Sequence, residues 1–275
     1  MMNRMRIAVP LRITGLVAVA AVAAAAACGT PAPSSAPGSP SSSAAPAPPA
    51  CDADTVTGRS DYGAPLRCLL HDARFPRLTF DYSDPGFAGP DGRNQVIVVR
   101  EGDRLVQTIT ERAVSPAPGP PFAPRWANDG DGQLAVVTNS GGSGGVGLAV
   151  WRARGPEGPF VRGGELFGFP WRTATTEEGY TALYAHSSAT SGAYTIFRLA
   201  GDRVVRLLNL PVAVVGSADT SLGGDGPVVT DRNTSCRAVA PTPAQAQALG
   251  EAGVTAAGYG ERLCRQDWVG RTYAG

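Results

Sequence analysis

From residue 95 onward, short runs of β-branched and aromatic residues alternate with Gly-rich punctuation, the pattern of strands and turns. QVIVVREGDRLVQTIT predicts a hairpin that bends at Glu101-Gly102-Asp103. Almost the same text returns as YTIFRLAGDRVVRLL, with Gly201-Asp202-Arg203 at the bend. Between them LAVWRARGPEGPFVRGGEL predicts a third hairpin with a longer bend at residues 155–158. Strand-turn-strand units therefore recur at intervals of about 50 residues, as expected of stacked antiparallel modules. QLAVVTNSGGSGGVGLAVW and YTALYAHSSATSGAYTIF strengthen the repeat, since both read as strand, small-residue loop, strand. The expected fold class is mainly β: an antiparallel sheet of repeated hairpins, propeller-like or a barrel or sandwich, with a short C-terminal helix.

Outside the repeats the signals are shorter. LTFDY predicts one strand in a stretch rich in Pro, Gly and Asp, and residues 211–231, after the last repeat, contain two more short apolar runs, VAVV and PVVT. Then PTPAQAQALG changes character and predicts a helix, with Thr242 as N-cap, Pro243 at the first position and Gly250 as stop.

The hydropathy pattern also sets the domain boundaries. Arg4, Arg6 and Arg12 precede an apolar run at residues 13–27, which at helical rise covers roughly 22 Å, short of the ~30 Å hydrocarbon core. Residues 1–27 are therefore expected to be an export signal. Cys28 follows directly, in the sequence AAACG, as the expected site of lipidation, although Ala25 stands where a Leu is usual and release by an ordinary signal peptidase stays open. Residues 28–50 then hold only small residues and Pro after the cysteine, so they predict a disordered, polyproline-like tether reaching up to roughly 60 Å. Residues 51–275 are left as a single extracytoplasmic β-rich domain.

Composition narrows the chemistry. The net charge is +1 and every basic residue other than His is Arg, which excludes a Schiff-base lysine, a Walker-type lysine and a Ser/Lys dyad. Near-neutral charge gives no reason to expect a nucleic-acid partner. Beyond Cys28 four cysteines remain, Cys51, Cys68, Cys236 and Cys264. An even number in an exported chain predicts two disulfides, and of the three possible pairings the sequence-near ones, Cys51 with Cys68 and Cys236 with Cys264, are expected. Each would contribute about 3 kcal/mol by restricting the unfolded chain. Their spacing is too wide for zinc, and no metal or cofactor is expected.

Three motifs are weighed against plainer readings. Residues 141–145 spell G-x-S-x-G and residues 142–147 spell G-x-G-x-x-G, but both patterns need a following helix, and the β-type run Leu148-Ala149-Val150-Trp151 comes instead. The loop is read as a hairpin turn. Asn128-Asp129-Gly130-Asp131-Gly132 partly matches a calcium loop, yet Ala127 and Ala135 stand where two oxygen ligands are needed. Asp-Gly is thus read as this chain's usual turn.

Candidate site residues are few. His186 lies beside Ser187 and Ser188, and His71 beside Asp72, so a serine-type hydrolase would have to use Ser143 or Ser187 with His186. Of Trp126, Trp151, Trp171 and Trp268, Trp171 in GFPWRT is the one expected at the surface, because Pro and Gly flank it. Possible binding residues are accordingly Trp171 and His186.

The signal, the cysteine at its end, the Ser/Pro/Ala tether, the paired cysteines of CDADTVTGRSDYGAPLRC and the hairpin VIVVREGDRLVQTIT together resemble small envelope lipoproteins of mycobacteria and related actinobacteria, including the LppP/LprE-like group. The resemblance is carried mainly by residues 1–50. It implies location and class, an exported protein on the outer face of the cytoplasmic membrane held by a lipid anchor, and supplies no catalytic residues. The expected function is a non-catalytic binding or scaffolding β domain, with an envelope protein or glycan as partner and loops 138–147 and 185–193 as contact surface. A secreted serine-type hydrolase and a glycan-binding module are the alternatives.

Overall fold

The computed structural model describes residues 47–51, 65–86, 93–114, 121–127, 132–215, 226–231 and 233–273. Cys28, the expected signal and nearly all of the tether lie outside the described residues, as do positions 128–131 of the calcium-like motif. The described chain is mainly β, with 54% strand against 12% helix, and its antiparallel sheets include a curled half-barrel.

The first sheet is a four-stranded meander of β1 (Leu66–Leu70), β2 (Leu78–Asp84), β3 (Arg93–Glu101) and β4 (Arg104–Ala113). The second is a three-stranded meander of β5 (Gln133–Ser140), β6 (Val146–Ala153) and β7 (Phe160–Gly168). The third contains β8 (Thr173–Thr175), β9 (Thr181–Ser188), β10 (Ser191–Ala200), β11 (Arg203–Val214), β12 (Val228–Asp231) and β13 (Thr234–Arg237). Its strand order is β12-β13-β11-β10-β9-β8. The three hairpins expected from the repeat are β3–β4, β6–β7 and β10–β11, one in each sheet.

Period-2 alternation explains how the sheets stack. Along β5, Leu134 and Val136 join Phe80, Ile97 and Phe160 in a core between the first and second sheets. The intervening Ala135 and Val137 join Leu183, Phe197 and Leu199 in a second core between the second and third sheets. Tyr184, Tyr194, Ile196 and Leu208 of the third sheet turn the other way, onto Leu249, Tyr259, Leu263 and Trp268 of the C-terminal helices. The inner strands are thus apolar on both faces while β3 buries alternate residues only. Polar links join the first two sheets: the buried Tyr82 hydroxyl donates to Gln95 Oε1 at 2.5 Å, and Gln95 Nε2 donates to the Val137 carbonyl at 2.8 Å. Arg93 and Asp84 form a buried two-pronged ion pair at the end of this sheet, with Arg93 Nε 2.5 Å from Asp84 Oδ1.

The C-terminal region departs from expectation in extent. α1 (Pro243–Glu251) starts at the Thr242 cap, whose side chain accepts from Gln245 N while Gln245 reciprocates in a capping box. It runs past Gly250, and the positive φ falls at Gly253 instead. Two further helices follow, α2 (Tyr259–Cys264) and α3 (Asp267–Tyr273). Helices this short are not stable alone. They stand because Tyr259, Leu263 and Trp268 are buried against the third sheet and Cys264 is bonded to Cys236 of β13. The second disulfide joins Cys51 to Cys68 of β1, with Cα atoms 5.1 Å apart.

Candidate binding cleft

One concavity of about 690 Å³ opens where the second and third sheets meet at their ends. It is lined by Gly141 and Gly144 of the β5–β6 turn, Phe167 of β7, Phe169, Trp171 and Arg172 of the β7–β8 connection, and residues 186–189 of the β9–β10 hairpin. Both segments expected as contact surface therefore border the same cleft, although they are more ordered than the sequence suggests. β9 continues to Ser188 and β10 begins at Ser191, which leaves only residues 189–190 between them. Small side chains did not prevent pairing, because the ladder is made by backbone groups. At residues 141–145 a single 3-10 turn leads into β6, with no helix behind it, so the nucleophile-elbow and dinucleotide patterns have no structural counterpart.

The connection from β7 to β8 is a tight turn docked on β9. Arg172 N donates to the Phe169 carbonyl at 2.9 Å, closing a β-turn with Pro170 and Trp171 at its centre, where Pro pre-sets the backbone. Phe169 N donates to Tyr184 O at 2.7 Å, and Tyr184 N donates to Arg172 O at 3.1 Å. The turn is fixed at both ends, so its apex residue is pushed outward: Trp171 is 67% exposed. Phe169 lies behind it with ring centroids 5.5 Å apart, and Phe167, 39% exposed, adds a further apolar wall.

His186 and Tyr184 share a face of β9, being two residues apart. The Tyr184 hydroxyl and His186 Nδ1 are 3.0 Å apart, and the imidazole meets the Phe169 ring edge-on at 5.3 Å. Gly192, the cross-strand partner of His186, makes room for this pair: a Cβ there would lie 2.5 Å from the Tyr184 hydroxyl and 2.3 Å from the Ala185 carbonyl. The Arg172 guanidinium lies 5.5 Å from the Phe169 centroid and 5.9 Å from that of Tyr184. Cation–π contact with two rings holds it in place.

The hydroxyls beside His186 are occupied with one another. Ser187 Oγ and Ser188 Oγ lie 3.0 Å and 2.7 Å from the Oγ of buried Ser191. Among the described residues no hydrogen bond joins a serine to His186, and no carboxylate lines the cleft. The Ser143 side chain lies outside what is described. The arrangement presents an aromatic platform, a cation and a row of hydroxyls. Such a set can hold a ligand, and among the described residues it includes no base paired with an orienting acid as serine chemistry requires.

The remaining sequence candidates lie elsewhere. His71 and Asp72 border a smaller hollow of about 240 Å³ near Phe75. Burial alone would raise the Asp72 carboxyl, but hydrogen bonds from Arg74 outweigh that and hold it below the usual carboxylate range. Trp126 and Trp268 are core residues, and Trp151 Nε1 donates to Glu111 at 2.8 Å. Among the described residues no group of three His, Cys, Asp or Glu side chains could hold a metal ion. Phe167, Phe169 and Arg172 belong to no recognised motif in the sequence. The available signal was the density of aromatics in FGFPWR around a proline, since a turn there brings Phe169 and Trp171 together.

Compared with protein-family models, curated proteins and solved structures, the chain matches none.

Proposed function

We propose that this protein is a lipid-anchored lipoprotein on the outer face of the cytoplasmic membrane, of the kind found in mycobacteria and related actinobacteria. Its β domain binds an envelope ligand without chemistry of its own. The cleft carries this reading. Its volume of about 690 Å³ is within the usual range for small-ligand sites, it sits on rigid strand ends, and an exposed Trp171 forms its wall. Two disulfides fit an oxidising compartment outside the cytoplasm. The Arg-led apolar run ending at Cys28 supports export and anchoring.

Two measurements test the two halves. Grown with an alkyne-tagged fatty acid, cells making the full chain are expected to label it and to retain it in membranes, and Cys28→Ala is expected to lose both. Label that persists in the variant removes the anchor from the reading. For the cleft, the full-length chain in detergent is mixed with insoluble mycobacterial cell-wall polysaccharide and sedimented. Trp171→Ala is expected to weaken binding about tenfold or more, as truncating a central aromatic anchor does. Equal sedimentation of wild type and variant would place binding elsewhere on the domain.

A further inference from the structure

The chemistry of the cleft lining selects among ligand classes. Charge comes first: among the described residues that line it, Arg172 is the only permanently charged side chain, and none is Asp or Glu. Among the described residues the Arg172 guanidinium has aromatic partners alone, Phe169 and Tyr184, and no carboxylate. Arg74 and Arg162, also half-buried, are by contrast each paired with an acid, Asp72 and Glu111. A guanidinium backed by two rings keeps its N–H edge for an incoming group, and that edge matches a carboxylate in two-pronged fashion.

Shape and polarity come second. Trp171 offers a flat apolar face to solvent inside a concavity, next to Phe169 and Phe167. The lining also includes Ser187 and Ser188, whose hydroxyls are tethered through the buried Ser191 hydroxyl. His186 has its Nδ1 occupied by Tyr184, which leaves Nε2 as its second ring nitrogen for a ligand. A pyranose ring has the matching faces: axial C–H groups on one side, hydroxyls around the rim. A purely apolar ligand would leave Nε2 and the remaining hydrogen-bonding capacity of Ser187 and Ser188 unmet, which is unfavourable once water is displaced.

Resting on the binding reading above, we infer that the cleft takes a carboxylate-bearing sugar. The ring stacks on Trp171, its hydroxyls meet Ser187, Ser188 and His186, and its carboxylate meets Arg172.

The test uses the full-length chain in detergent and a pair of probes that differ only in the acid, trigalacturonate and the galactose trisaccharide of the same linkage, titrated by calorimetry at low salt. The acid is expected to bind at least tenfold tighter than the neutral sugar, as a charge-assisted pair requires. Arg172→Gln is expected to erase that difference, Arg172→Lys to keep part of it, and Trp171→Ala to lose both ligands. The lysine variant retains a cation, so loss of preference in the glutamine variant together with retention in the lysine variant reports charge and not misfolding. Equal affinity of the two sugars for wild type, or an acid preference that survives Arg172→Gln, overturns the inference and leaves the cleft a binding site. N-acetyl-tryptophan binding as tightly as trigalacturonate also overturns it, since the anion would then be recognised without a sugar. If neither sugar binds while sedimentation with wall material still depends on Trp171, the acidic sugar is wrong and the proposed function stands. If that dependence is missing too, the cleft falls as the binding site together with the acidic sugar.

Discussion

The hairpins β3–β4 and β10–β11 are written in almost the same letters and serve different ends. At both bends glycine adopts a left-handed backbone, φ +56° at Gly102 and +57° at Gly201, and at neither would a Cβ touch anything. The turns are therefore local objects, made by Gly-Asp-Arg wherever it occurs. Past the turn the two diverge. The first stands at the outer sheet, where Arg104 pairs with Glu101 across the bend and only alternate residues of β3 are buried. The second is contacted by the neighbouring sheet: Arg152 Nε donates to the Gly201 carbonyl at 3.2 Å, Arg154 pairs with Asp202 at 2.7 Å, and β10 contributes to cores on both faces. The same short text can thus make an edge module or a central one, and the neighbours decide which.

Three measurements would break or sharpen this contrast. Val98 and Phe197 occupy matching positions in the two hairpins, each four residues before its turn glycine. Phe197 is fully buried, edge-on to Trp126 with centroids 5.2 Å apart. Phe197→Ala is expected to lose about 3–5 kcal/mol in urea unfolding, whereas Val98→Ala on its half-exposed face should lose under about 1 kcal/mol. Similar losses at the two sites would mean that the third sheet is not a two-sided core.

A second measurement concerns the helices that only the third sheet carries. Burial pushes the Tyr259 phenol well above its ordinary value, and the nearby Glu178 carboxylate adds to the effect. A phenol whose pKa is higher in the fold than in the unfolded chain leaves stability intact below about pH 10, the unfolded value, and removes it progressively at higher pH. Wild type is therefore expected to melt at falling temperature above about pH 10. Tyr259→Phe, which keeps the ring and drops the titrating group, should flatten that alkaline limb. Overlapping profiles would remove Tyr259 as the cause.

The smallest effect tests the likeness and not the difference. Gly102→Ala and Gly201→Ala are each expected to cost about 1 kcal/mol, the strain of a side chain at left-handed φ. Equal values confirm that the turns are set locally. A clearly larger loss at Gly201 would show that the Arg152 contact to its carbonyl constrains the turn from outside.

What sequence could determine was whatever is written within a few residues. The hairpins, the Thr242 cap and the outward placement of Trp171 follow from turn glycines, a capping residue with proline behind it, and a proline-centred bend, each acting through local backbone geometry. The sequence-near cysteine pairs were within reach for the same reason, since short loops close most readily. Tertiary structure alone decided that residues 141–144, 167–172 and 186–189 border one cleft, that Arg172 rests on Phe169 and Tyr184, and that Gly192 must lack a side chain so that Tyr184 can reach His186. It also decided that helices of six and seven residues exist at all, because they depend on burial against the third sheet. A residue's periodicity says which way it faces, but what it faces is set by segments far away in the chain, through the packing of sheets that each had apolar faces to cover.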